Sequence, residues 1–306
     1  DLHASTQMHI HNIAGINVCK KLGFKKVVIA RESSLDFIKE ACKQDIQIET
    51  FVHGAICVSY SGQCLMSSAT KNRSANKGAC AQCCRLRYGL YENNKRVPTD
   101  TDYLLSPKDM SLIDDIPSLI EAGVSSFKIE GRMKSSAYVG LVTSLYRKAI
   151  DSYYKGEKFS LSQKEYNELL SVFNRGFTDS YLKDNKADIF SNFRPNHMGK
   201  EIGKVIDYRD GHCLIRLFDN INQFDGIRII SKKGDTGKIL NTLTVNKKMV
   251  SKAFKNEIIT VKVDSPVLKG DKVVRTLDYN LENRINDYKL KKRPIDIKIK
   301  FNPNEN

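Results

Sequence analysis

Residues 49–88, ETFVHGAICVSYSGQCLMSSATKNRSANKGACAQCCRLRY, constrain this chain more than any other stretch. Five of its eight cysteines fall here, with little apolar sequence between them. Cys57 and Cys64 come first, and Cys80, Cys83 and Cys84 follow. Gly54, Gly62 and Gly78 punctuate the stretch where turns or close backbone approaches are needed. Thiolates gathered in such a loop suit a soft metal centre. The plainer alternative is a set of unrelated buried cysteines. Cys19, Cys42 and Cys213, scattered through apolar runs, have that character. The spacing in the loop matches no standard zinc-finger pattern.

Around this loop, short apolar strands alternate with amphipathic helices, the mark of βαβ units. Strands are predicted at 2–6, 25–30, 46–52, 103–106 and 124–130. Helices are predicted from Asn12 as N-cap to a stop at Gly23, then at 33–44, 107–123, 135–156 and 162–174. Pro117 marks a kink or break in the third. A complete eight-fold barrel needs more units than these. The expectation is therefore the C-terminal portion of a TIM-like (β/α) barrel over 1–194, with the cysteine loop 54–98 inserted and the first units lying before Asp1. After Pro195 the composition changes to short β-rich runs with Asp-Gly turn signals at 210–211 and 225–226. This predicts a small all-β, barrel-like domain over 195–276. The Lys- and Asn-rich stretch 277–306 reads as a linker or the start of a further domain.

Fifty Lys and Arg against 35 Asp and Glu leave a net charge of +15, which favours a polyanionic partner, RNA or DNA first. Lysines are spread along the chain, so a merely basic surface is the competing reading. No run is long enough to span a membrane, and no membrane partner is expected. A reducing cytosol, where thiols stay free to bind metal, is the expected location.

Active sites of β/α barrels sit at the C-terminal ends of the strands. Here the first strand runs into Gln7, His9 and His11, the second ends at Arg31 and Glu32, the third at His53, and a later one at Glu130, Arg132 and Lys134. His53, Glu130 and Glu32 are the candidates for proton handling. Gln7, Arg31, Arg132 and Lys134 are the candidates for binding substrate, with Arg132 and Lys134 suited to a small carboxylate or a phosphate. Each has a structural alternative: Arg31 and Glu32 pairing with each other, His9 and His11 on a solvated face, Glu130 capping the next helix. GDTGK (234–238) lacks the full phosphate-loop spacing and lies among strands. No protease nucleophile motif is visible.

The chain resembles peptidase family U-32, the collagenase-like proteins. ETFVHGAICVSYSGQCLMSS (49–68) matches the signature region. STQMHIHN (5–12), VVIARE (27–32), RSANKGACAQCCR (73–85), YLLSPKDM (103–110), FKIEGRMKSSAYV (127–139) and NRGFTDSYL (174–182) also look like family motifs. The resemblance implies an RNA hydroxylation protein, acting on a ribosomal RNA cytidine or a tRNA uridine. It further implies a four-iron (4Fe-4S) cluster, with Cys57, Cys64, Cys80 and Cys84 as ligands by position, and prephenate, a small organic acid, as hydroxyl donor. Cys83 stands where relatives commonly have another residue. The rival readings are a U-32 collagenase-like peptidase and a non-enzymatic RNA-binding module.

Overall fold

The computed structural model describes residues 1–179, 181–183, 188–191, 194–288 and 294–299. Of the lysines spread along the chain, Lys186, Lys289, Lys291, Lys292 and Lys300 lie outside these residues. The first body opens with β1 (His3–Ala4), α1 (Ile13–Lys21), β2 (Lys26–Val28), α2 (Leu35–Cys42) and β3 (Gln47–Ala55). Side chains fix where the helices begin. Asn12 Oδ1 accepts the Gly15 N–H at 2.8 Å, and Ser34 Oγ accepts that of Phe37. Gly23, at φ +81°, follows the end of α1 as its position predicted.

The cysteine loop leaves the end of β3 and holds α3 (Met66–Lys71) and the hairpin of β4 (Leu90–Glu92) and β5 (Lys95–Val97). The chain returns through β6 (Asp109–Ser111), α4 (Ile116–Glu121), β7 (Ser126–Ile129), α5 (Ser136–Tyr154), α6 (Gln163–Ser171) and β8 (Phe177–Thr178). Strands β1, β2, β3 and β7 are parallel; β6 runs antiparallel to the end of β3, and β8 parallel to β6. This is an open six-stranded sheet, and among the described residues it does not close into a barrel. Its helices bury Ile16, Ile38, Leu119, Leu141 and Leu145 in one apolar core with Val27, Ile48 and Val52 of the strands.

Two expectations are corrected here. Residues 103–106 form a turn closed by the Ser106 N–H on the Tyr103 carbonyl, and the strand lies beyond Pro107, which has no N–H for a ladder. The helix predicted at 107–123 starts only at Ile116. Pro117 sits in its first turn, where no backbone donor is needed, and so opens the helix instead of kinking it.

The second body runs from β9 (Lys200–Arg209) through β10 (His212–Leu217), β11 (Ile221–Asn222), β12 (Gly226–Ile230), β13 (Thr236–Ile239), β14 (Thr244–Val245), β15 (Lys248–Met249), β16 (Lys252–Ala253) and β17 (Ile258–Lys262) to β18 (Lys272–Leu277). Eight of these strands make an antiparallel half-barrel sheet of order β13-β12-β18-β9-β10-β17-β14-β15 over a separate apolar core. Asp210 and Gly211, both at positive φ, turn β9 into β10 as the Asp-Gly signal predicted. At 225–226 the signal has another meaning: Gly226 opens β12, and the Asp225 carboxylate is buried against Arg275, accepting the Asn222 and Tyr279 N–H groups. Part of the expected linker is helical: α7 (Tyr279–Asn286) packs back onto α5.

Candidate functional site

The loop is docked on the strand ends through glycine. A Cβ on Gly54 (φ +108°) would lie 2.4 Å from the Glu130 carbonyl oxygen, and one on Gly62 (φ +76°) 2.6 Å from that of Gln7. Backbone occupies both places, so no side chain fits. Gly78 (φ +83°) has open space and serves only a turn. Inside the loop the Cys64 N–H reaches Asn76 Oδ1 at 3.2 Å, and the Ala81 N–H reaches Ser67 Oγ at 3.1 Å.

Cys57, Cys64, Cys80 and Cys84 form one electrostatic set. Burial pushes the Cys57 thiol up; Arg31 opposes this, and Cys64 and Cys80 add to it. Burial also pushes Cys84 up, with Arg85 opposing and the other three thiols adding. Cys83 belongs elsewhere: it is buried, and its sulfur lies 3.1 Å from Thr70 Oγ1. Among the described residues, no three His, Cys, Asp or Glu side chains close on one point tightly enough for a single ion. A tetrahedral ion with sulfur bonds of about 2.3 Å would need that tighter grouping. Cys64 and Cys80 both act on Cys57 and on Cys84, and four thiols gathered in this way are the donor type of a thiolate-bound centre.

The strand-end residues fall into two groups. In the first, Glu32 accepts the Ser61 N–H at 2.9 Å and the Ser61 hydroxyl at 2.8 Å, and Ser61 Oγ accepts the Arg31 N–H. Arg31 and Glu32 therefore hold the loop and do not pair with each other. The Arg31 guanidinium lies 4.4 Å over the Phe51 ring, and its Nε is buried without a hydrogen-bond partner. His9 stands 3.7 Å from Glu32, and Gln7 is exposed beside Gly62.

In the second group, His53 is 2% exposed and ringed by Tyr138, Tyr146 and Phe177. Its Nδ1 lies 3.3 Å from the Tyr146 hydroxyl, and burial lowers its pKa to about 4. The hydroxyl itself donates to the Val52 carbonyl at 2.7 Å and accepts the Leu112 N–H. His53 thus braces β3 from inside the core, away from the loop surface. Glu130 contributes its backbone to β3 and to Gly54, Arg132 is exposed, and Lys134 Nζ sits 3.0 Å from the Phe173 ring centroid. Burial draws the Lys134 pKa down to about 8, against the pull of Asp109. Lys134 faces a cavity of about 260 Å³ between the two bodies, lined also by His197, Leu277, Asp278 and Glu282.

Sequence reasoning missed the buried charges that join these parts. Arg85 donates to the Ile56 carbonyl at 3.2 Å, the Ser106 hydroxyl at 2.8 Å and the Pro107 carbonyl, closing the loop where it leaves and re-enters the sheet. Asp109 and Arg175 make a buried pair at 2.6 Å, and Asp109 also takes the Arg175 N–H. The one signal was local: an Arg directly after the last thiol, and an acid at the head of an apolar run.

A protein-family model described as Peptidase family U32 matches residues 1–191. The chain is 36% identical over 266 residues to the 23S rRNA 5-hydroxycytidine C2501 synthase of Escherichia coli, covering 84% of this chain and 41% of that protein. It is 36% identical over 228 residues to the tRNA hydroxylation protein P1 of Bacillus subtilis, covering 71% and 54%. It is 31% identical over 298 residues to a collagenase of Porphyromonas gingivalis, covering 90% and 72%. The chain thus spans about half the length or less of the two RNA-related proteins.

Proposed function

The chain belongs to peptidase family U32, and on that premise we propose that it works in RNA hydroxylation around an iron–sulfur cluster held by Cys57, Cys64, Cys80 and Cys84. The observation that carries this reading is the four-thiol set itself, with Cys83 turned away to Thr70. The names of the Escherichia coli and Bacillus subtilis relatives supply the reaction class, with a ribosomal RNA cytidine or a tRNA uridine as the target. A four-iron cluster at that place supplies one-electron chemistry. The protein's part is positional. Arg31, Arg132 and Lys134 offer cations to the carboxylates of a small organic acid such as prephenate, the hydroxyl donor. Gln7 offers an amide at the loop edge. Glu32 and Glu130 are the carboxylates that pass a proton, and His53, neutral and enclosed, keeps β3 in register. The reducing cytoplasm is the compartment in which such thiols stay available.

The test is iron and sulfide content, with a visible spectrum, on the chain purified without oxygen, together with RNA nucleosides from a deletion strain. About four irons per chain and one missing hydroxylated nucleoside are expected. Zinc in place of iron would make the loop structural. The collagenase-named relative gives a peptidase reading its footing. That reading predicts gelatin cleavage by metal-free protein with the RNA nucleosides unchanged.

A further inference from the structure

We propose that the outer face of the second body's sheet is the surface that grips the RNA phosphate backbone. This rests on the RNA reading above and adds to it a place of contact. One face of β9, β10, β17 and β18 is apolar: Ile202, Val205, Ile215, Leu217, Val261 and Val273 fill the core. The other face carries cations in register. Lys204 on β9 is the direct cross-strand partner of Lys272 on β18 and of Arg216 on β10. Three like charges thus stand in one row across three adjacent strands, a span of about 10 Å at the usual strand spacing. A second row runs Arg209, His212, Lys262 across β9, β10 and β17.

Like charges directly opposite one another destabilise a sheet. The acids of this body do little to relieve them. Asp235 pairs with Arg194 and Arg228, Asp225 with Arg275, and Asp219 with Lys200, off this face. On the face itself Asp207 takes Arg209 at 3.0 Å, and Glu201 lies 3.5 Å from Lys272. Among the described residues Lys204, Arg216 and Lys262 have no carboxylate partner, and all three are exposed. Residues 198–277 hold sixteen Lys and Arg against nine Asp and Glu, close to half of the chain's excess charge. A face whose Lys204, Arg216 and Lys262 repel one another when bare, with only Asp207 and Glu201 as nearby counter-charges to other cations, is matched by a regular polyanion. Exposed Lys and Arg side chains of this kind bind phosphates, which fix position without reading sequence.

The experiment uses the full chain, a labelled RNA hairpin and a salt series from about 50 to 200 mM. In the variant K204Q/R216Q/K262Q the slope of log K against log salt should become shallower by about 2, and affinity in low salt should fall at least tenfold. Its melting temperature should hold or rise, because a repulsion is removed; a residue kept for packing would give the opposite. K155Q/K158Q/K164Q, with three cations removed near the α5–α6 turn, should bind nearly as wild type. Wild-type affinity and slope in the sheet variant would overturn the proposal while leaving the RNA reading standing. Failure of the wild-type chain to bind the hairpin would sink both. Binding to phosphatidylserine vesicles that RNA does not compete away would assign the face to a membrane surface and overturn it too.

Discussion

Cys83 and Cys84 are neighbours in sequence with opposite surroundings. Cys84 is half-buried among the other thiols beside Arg85, whereas Cys83 is enclosed against Thr70. Cys84→Ala should therefore lose iron while Cys83→Ala keeps it, read as iron and sulfide per chain; equal loss in both would show that the loop tolerates no change at either place. The sequence stretch CAQCCR did not distinguish the two, because the choice depends on which thiol a 3₁₀ turn at 83–85 points inward. His53 gives a second prediction. Its folded pKa is depressed to about 4 against an ordinary 6.5, so the unfolded chain takes up the proton first as pH falls. Stability from this group is whole above pH 6.5 and drains away toward pH 4, by up to about 1.4 kcal/mol per pH unit. Urea unfolding at several pH values in that window should show His53→Gln losing less than wild type. The third strand was legible from sequence, but it runs past His53 to Ala55, and the enclosure of His53 by Tyr138, Tyr146 and Phe177 was not legible, since those residues lie far along the chain.

At the scale of elements, the helices and parallel strands followed from caps and apolar runs, because those signals are local. Asn12 receives the hydrogen bond that its position predicted, and Ser34 and Ser162 cap their helices in the same way, Ser162 within a full capping box with Glu165. The return from the loop was not legible. A three-residue strand with an aspartate in it is too short and too polar to announce itself, and Asp109 is tolerated there only because Arg175 meets it from 66 residues away. Docking of the loop is testable through matched glycines. Ala at 62 pays the left-handed conformation, about 1–2 kcal/mol, and also meets the Gln7 carbonyl; Ala at 78 meets only the first cost. Gly62→Ala should speed alkylation of Cys57 and Cys64 in metal-free protein well beyond Gly78→Ala. Equal rates would mean that the loop is held by Arg85 and Glu32 without help from that contact.

At the scale of the whole molecule, the composition changes after Pro195 and one apolar core lies on either side of that change, but nothing local showed how the two are joined. The join is α7. Its N-cap Asp278 accepts the Leu281 N–H and also takes Arg275 of β18, and the first N–H of the helix, from Tyr279, goes to Asp225. On its far side Leu281 enters the first core, Ile285 covers Gly140, and Arg284 grips Glu168 through two bonds at 3.0 and 2.7 Å. One short helix is thus bonded to the half-barrel at its start and packed on the α/β body along its length, and it walls the cavity that Lys134 faces. Leu281→Ala removes a side chain that is 4% exposed, a change that costs about 2–5 kcal/mol where the core does not collapse. If α7 couples the bodies, hydrogen exchange should quicken in α5 and in β12 alike, because the helix cannot leave one surface without releasing the other. Faster exchange confined to α5 would show that the half-barrel stands alone, and that the cavity opens without disturbing the sheet beside it.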